Sequence, residues 1–152
     1  MNLKIMCNLK ISVLVVFLSI SYSAFPQDWK KLGSDIDGEA SGDQFGESVS
    51  ISSDGSIIAI GAENNDGNGS NSGHVRVYEW NGSAWVQRGI DIDGEASSDY
   101  SGTSVSLSSD GSIVAIAADY NDGNGSNSGH VRVYEWNGSA WVQRGIDIDG
   151  EA

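Results

Sequence analysis

From Ala40 to Glu151 the chain writes one 56-residue unit twice, and that duplication constrains its fold more than any single residue. Residues 40–95 and 96–151 differ at nine positions: Gly42/Ser98, Gln44/Tyr100, Phe45/Ser101, Glu47/Thr103, Ile51/Leu107, Ile58/Val114, Gly61/Ala117, Glu63/Asp119 and Asn64/Tyr120. A fixed period of this size belongs to stacked or radial repeat architectures, in which one unit cannot bury its apolar face alone. A solitary active site needs one special constellation, whereas a near-identical duplication offers every candidate twice. The stretch Asp28-Trp29-Lys30-Lys31-Leu32-Gly33 aligns with Ala84-Trp85-Val86-Gln87-Arg88-Gly89. Residues 25–39 therefore read as the last part of an incomplete unit, and the stop at Ala152 reads as a segment of a longer array.

Within one unit the apolar pattern has the period of strands. Ser48-Val49-Ser50-Ile51-Ser52 alternates polar and apolar, as a half-buried strand does. Asp54-Gly55 supplies a tight turn. Ile57 to Ala62 is apolar on both faces, which predicts a central strand covered on both sides. A loop rich in Asn, Gly and Ser leads to a third strand over 75–80. Asn81-Gly82 is a strong hairpin signal, because both turn residues tolerate positive φ. A two-residue loop there would set Tyr78 opposite Trp85 and Val77 opposite Val86, ahead of a fourth strand over 85–90. No helical periodicity is visible after the N-terminal segment. The expected fold is all-β: a partial β-propeller of two four-stranded antiparallel blades, residues 40–95 and 96–151, plus one extra strand at 25–39.

Residues 1–24 have the order of a secretory signal: Lys4 and Lys10, then an apolar run over 11–20, then small residues. The run is short of the roughly 20 residues a comfortable span needs. The expected product is secreted or surface-displayed, with no membrane insertion after cleavage. Cys7 is the only cysteine and precedes the apolar run, so the mature chain uses no disulfides. All 21 acidic residues follow the leader, opposed only by Lys30, Lys31, Arg76, Arg88, Arg132 and Arg144. Such a surface repels nucleic acid.

The unit resembles the FG-GAP repeat family, the blades of integrin-α-like propellers, and especially its bacterial secreted branch. Phe45-Gly46 supplies the first half of the motif and Gly61-Ala62 the second, with Glu63 where the family has proline. The neighbouring stretches Ser48 to Gly55 and Gly73 to Tyr78 resemble that branch too. The second unit departs from the motif, with Ser101-Gly102 and Ala117-Ala118-Asp119. The resemblance covers nearly all of residues 28–152. It implies adhesion or ligand binding to an extracellular protein or polysaccharide, with no catalytic residues. Two uncovered blade faces also predict self-association. The competing readings are a fragment of a propeller-based glycan-active enzyme and a truncated gene product without independent function.

Integrin-type blades bind calcium in a loop of alternating acidic residues, and the resemblance implies a similar place here. Asn64, Asp66, Asn68 and Ser72 put oxygens at alternating positions of such a loop, with Gly69 in the turn. The second unit offers Asp122, Asn124 and Ser128, with Tyr120 in place of the first ligand, so calcium would bind there more weakly. The alternative is a turn-rich connector whose Asn and Gly supply positive φ. His74 and His130 stand alone in sequence and do not spell a zinc site. The carboxylates of Asp37, Glu39, Asp93 and Glu95 invite a glycosidase reading, but their recurrence between units makes them connector residues. The tryptophans Trp80, Trp85, Trp136 and Trp141 could stack on sugar rings or pack the blades.

Overall fold

Alternation of serine with aliphatic residues shapes the first strand of each unit, and the doubly apolar run shapes the second. The computed structural model describes residues 28–151. The leader expected at residues 1–24 lies outside the described residues, as do 25–27. The contacts divide the chain into Met1–Lys30 and Lys31–Ala152, and both blades belong to the second unit. No helix occurs among the described residues.

Blade 1 holds β1 (Ser48–Ile51), β2 (Ile57–Ala62), β3 (His74–Trp80), β4 (Trp85–Gln87) and β5 (Ile92–Asp93). Blade 2 repeats them as β6 (Ser104–Leu107), β7 (Ile113–Ala118), β8 (His130–Trp136), β9 (Trp141–Gln143) and β10 (Ile148–Asp149). Every pairing is antiparallel. The order β1-β2-β3-β4 is the expected four-stranded meander, and β5 adds a second short partner to β3. β2 is largely buried on both faces, as its sequence predicts.

Three expectations need correction. The hairpin after β3 has a four-residue loop, so Trp80 lies opposite Trp85 and Tyr78 opposite Gln87. The Asn81 side chain decides this: its Oδ1 accepts the backbone N–H groups of Ser83 and Ala84, each at 2.9 Å, and holds the longer turn. The register moves by two residues, so each side chain keeps its face. The fourth strand, expected over 85–90, is also broken. Tyr78 pairs with Gln87 but Val75 pairs with Ile92, a slip of two residues. Gly89, at φ +88, sits in the interruption. A bulge of this kind re-aims a side chain, here Asp91.

The extra strand expected at 25–39 is not formed over 28–39. In place of strand pairing, the Leu32 carbonyl accepts the Trp85 indole N–H at 3.1 Å, and Glu39 forms an ion pair with Arg76. Residues 32–39 cap blade 1 as residues 88–95 cap blade 2, where the Arg88 carbonyl accepts the Trp141 indole N–H at 2.7 Å.

One layer of apolar side chains joins the blades. Ile57, Ala59, Val75, Val77 and Ile92 of blade 1 pack against Val114, Ile116 and Tyr134 of blade 2, with Val105, Leu107 and Trp141 at the margin. The serines of β1 face this seam. Ser48 Oγ donates to the Gly102 carbonyl at 2.6 Å, and Ser50 Oγ accepts the Leu107 N–H at 2.9 Å. By alternation, Val49 and Ile51 face away from blade 2 and are exposed.

Candidate functional site at the blade seam

The two edges of β3 and the bulge after β4 bring ionisable groups together that are far apart in sequence. His74 and Arg76 lie on one face of β3, two residues apart, and point away from the apolar seam. The bulge swings Asp91 over them. Arg76 Nε donates to Asp91 Oδ1 at 2.9 Å and Nη2 to Oδ2 at 2.8 Å, a bidentate pair. Gln87 Nε2 donates to the same Oδ1 at 2.6 Å. Glu39, from the cap, closes on Arg76 from the other side. The His74 Nδ1 lies 3.7 Å from Asp91 Oδ2.

The electrostatics follow from burial and that arginine. Hydrogen bonding to Arg76 holds the Asp91 carboxyl below the usual range, with Gln87 helping. Arg76 is held more firmly protonated by Asp91 in return. Burial pushes the His74 imidazole down, against the pull of Asp91, so it stays neutral near pH 7. The result is a neutral imidazole beside two carboxylates that share one guanidinium.

Blade 2 repeats the cluster as Glu95, His130 and Asp147, each 56 residues on. There the guanidinium has moved. Arg132 Nη2 donates to the Asp93 carbonyl at 2.7 Å, and Nη1 lies 3.6 Å from Glu95 Oε1. Its Nε is buried without a hydrogen-bond partner among the described residues. His130 Nδ1 lies 3.9 Å from Glu95 and 3.8 Å from Asp147.

In both blades one histidine nitrogen and two carboxylates come within 4.8 Å of one another, a set that could in principle hold a divalent cation. Arginine answers that possibility in blade 1. Its fork already occupies both carboxylates, so a cation would have to displace a bidentate, half-buried ion pair. The geometry is that of a polar staple between successive units. Asp91 and Asp147 were missed in the sequence. Their signal was the phase: Glu39, His74 and Asp91 all recur after one period.

The calcium-loop residues sit on the same rim, between β2 and β3. Asp66 Oδ1 accepts the Asn71 N–H at 2.8 Å. The Asn68 amide donates to the Gly94 carbonyl at 2.7 Å, reaching the connector to the next unit. Ser72 is fully buried, and its Oγ accepts the Asn68 N–H at 3.3 Å. Asp122, Asn124 and Ser128 repeat this: Asp122 accepts the Asn127 N–H at 2.7 Å, Asn124 donates to the Gly150 carbonyl at 2.8 Å, and Ser128 bonds the Asn121 carbonyl. The backbone N–H of Asn64 bonds the Asp43 carbonyl at 3.3 Å. Its counterpart Tyr120 packs on Tyr100, ring centroids 5.1 Å apart, so two of the nine differences form one contact. Of the four residues Asn64, Asp66, Asn68 and Ser72, only Asp66 is a carboxylate, and its Oδ1 already accepts the Asn71 N–H.

The tryptophans form blade contacts. Trp80 and Trp85 meet edge-on with ring centroids 5.5 Å apart, and Trp136 and Trp141 meet tilted at the same 5.5 Å. Arg88 lies over the second pair, 4.9 Å from the Trp136 ring centroid and 5.9 Å from that of Trp141. Asp37 and Asp93 lie in connectors; Asp93 contributes its carbonyl to Arg132.

Comparison with protein families agrees with this architecture over blade 1. Residues 34–78 match the FG-GAP repeat family. The match runs from the cap through β1, β2 and most of β3. Within the matched stretch Phe45 packs its Cβ against Gly38, as Ser101 does against Gly94 in blade 2. Residues 96–151 repeat residues 40–95 with nine substitutions. No curated protein matches the chain.

Proposed function

We propose that this chain is part of an exported propeller of the bacterial secreted FG-GAP kind, and that it acts as a non-catalytic binding or adhesion module. Its partner is an extracellular protein or polysaccharide, and neither nucleic acid nor a bilayer suits so acidic a chain. One observation carries this reading. The ionisable cluster of Glu39, His74 and Asp91 is closed by Arg76, and its counterpart Glu95, His130 and Asp147 recurs one period on, where Arg132 ties the Asp93 carbonyl and Glu95. Groups used that way hold units together. The leader anatomy at residues 1–24 supports export.

The test is expression of the full chain in an export-competent bacterium, with mass spectrometry of the released protein. A mature N-terminus between Ala24 and Gln27, without lipid, is expected. The purified product is then passed over immobilised polysaccharides and cell-surface proteins. Saturable binding without release of shortened glycan supports the module; cleavage of the glycan would favour the enzyme reading.

A further inference from the structure

The two ionisable clusters are built from the same residue types, but their arginines lie differently. In blade 1 both oxygens of Asp91 are taken: Oδ1 accepts from Arg76 Nε and Gln87 Nε2, and Oδ2 accepts from Arg76 Nη2. In blade 2 the Arg132 fork turns to the Asp93 carbonyl and to Glu95 Oε1, away from Asp147, and its Nε is buried without a partner among the described residues. Asp147 Oδ1 accepts from Gln143 Nε2 at 2.6 Å. That leaves one oxygen of each carboxylate, Glu95 Oε2 and Asp147 Oδ2, turned toward His130 Nδ1 at 3.9 and 3.8 Å. The His130 side chain is only 2% exposed. Both separations are too long for a hydrogen bond, so a buried imidazole nitrogen faces two carboxylate oxygens and is bonded to neither.

We propose that Glu95, His130 and Asp147 bind a divalent first-row transition cation, with zinc as the type, and that the blade 1 cluster does not. One imidazole nitrogen and two carboxylate oxygens form a donor set that suits zinc, and water completes the shell. The nitrogen disfavours calcium and magnesium, which take oxygen ligands. Ligands held about 2.1 Å from a tetrahedral ion lie about 3.4 Å apart, so each His130 contact needs to close by only about 0.5 Å. Glu95 and Asp147 are partly exposed and can turn to do so.

The ion takes over in blade 2 the part that Arg76 plays in blade 1. There the guanidinium joins a connector carboxylate, Glu39, to the carboxylate that follows the outer strand, Asp91. In blade 2 the corresponding carboxylates are Glu95 and Asp147, and Arg132 reaches only the first. Glu95 lies in the connector between the blades, so the ion ties that connector to β8 through His130. Gln143 supplies the outer partner that orients the Asp147 ligand, as second-shell donors do at metal sites.

Calorimetric titration of zinc chloride into the purified chain, first stripped with chelator, tests the proposal. About one zinc should bind per chain, and zinc should raise the melting temperature more than calcium chloride at the same concentration. Asp147→Asn should weaken zinc binding by more than about tenfold, at least the cost of losing an outer partner. Asparagine keeps the shape of the side chain, so circular dichroism should be unchanged, and Glu95→Gln replaces Asp147→Asn if that variant unfolds. The same change in blade 1, Asp91→Asn, should leave zinc affinity as it was, and His74→Gln serves in its place if Asp91→Asn unfolds. No zinc binding, two zinc ions per chain, affinity indifferent to the blade 2 substitutions, or an equal loss from the blade 1 substitutions would each overturn the proposal.

Discussion

Gly61 and the carbonyl oxygen of Gly102 are in direct contact across the seam, and the contact leaves no room for a side chain: a Cβ on Gly61 would come within 2.2 Å of that oxygen. Ser48, opposite Gly61 in the ladder, donates its hydroxyl to the same oxygen. Ala62 is ordinary β-strand, but its neighbour Gly61 is the point where one blade touches the next. Blade 2 has alanine there and meets no following blade among the described residues.

Gly61→Ala should therefore destabilise the chain by about 1–3 kcal/mol, the usual cost of overpacking a well-fitted contact. The mirror change, Ala117→Gly, should cost only the about 0.5–1 kcal/mol that glycine loses within a strand. Urea denaturation of the two variants measures both. Equal losses would mean that the seam does not depend on this approach.

Acid should weaken the fold in two stages. Burial depresses the His74 pKa below its ordinary 6.5, so below that value the unfolded chain binds a proton that the folded chain resists. Stability then falls as pH drops from about 7 through the lowered value. The depressed Asp91 carboxyl acts with the same sign at lower pH: its contribution is present above the ordinary carboxylate range and is lost as pH falls toward its folded value. Melting temperatures between about pH 7.5 and 3 should decline in that order. His74→Gln should flatten the upper stage and keep the lower one; a slope unchanged by that substitution would remove His74 from the account.

Asp66 holds the Asn64–Ser72 loop through the backbone N–H of Asn71. Asp66→Ala should cost about 1 kcal/mol by loss of that bond, and the loss should be the same in chelator and in millimolar calcium. A loss of melting temperature confined to calcium-containing buffer would instead make the loop a cation site.

The strands were legible because their pattern is local. Ile57 to Ala62 could only be a doubly covered strand, and the alternation at Ser48 to Ile51 fixed which residues face the seam. The hairpin register was not legible, because Asn81 can either take positive φ in a two-residue turn or cap a longer one with its side chain. The broken outer strand was hidden for a related reason: nothing in Arg88 to Asp91 announces that Asp91 will be drawn toward Arg76. The polar staple needed both blades in place, since Glu39 and Glu95 reach arginines of the unit that follows. Residues 25–39 looked like a strand because they align with residues 81–95, which hold β4 and β5; residues 32–39 instead cap blade 1 through Leu32 and Glu39.

The central claim is that two nearly identical units become unequal because the seam between them is closed, whereas the far face of blade 2 meets no blade among the described residues. Ile92 and Ile148 occupy the same place in their units, and only Ile92 lies in the seam. Urea denaturation of Ile92→Ala and Ile148→Ala, at a protein concentration low enough for monomer, tests this most directly. Ile92→Ala should lose about 2–4 kcal/mol and Ile148→Ala no more than about 0.5 kcal/mol. Equal losses at the two positions would contradict the account.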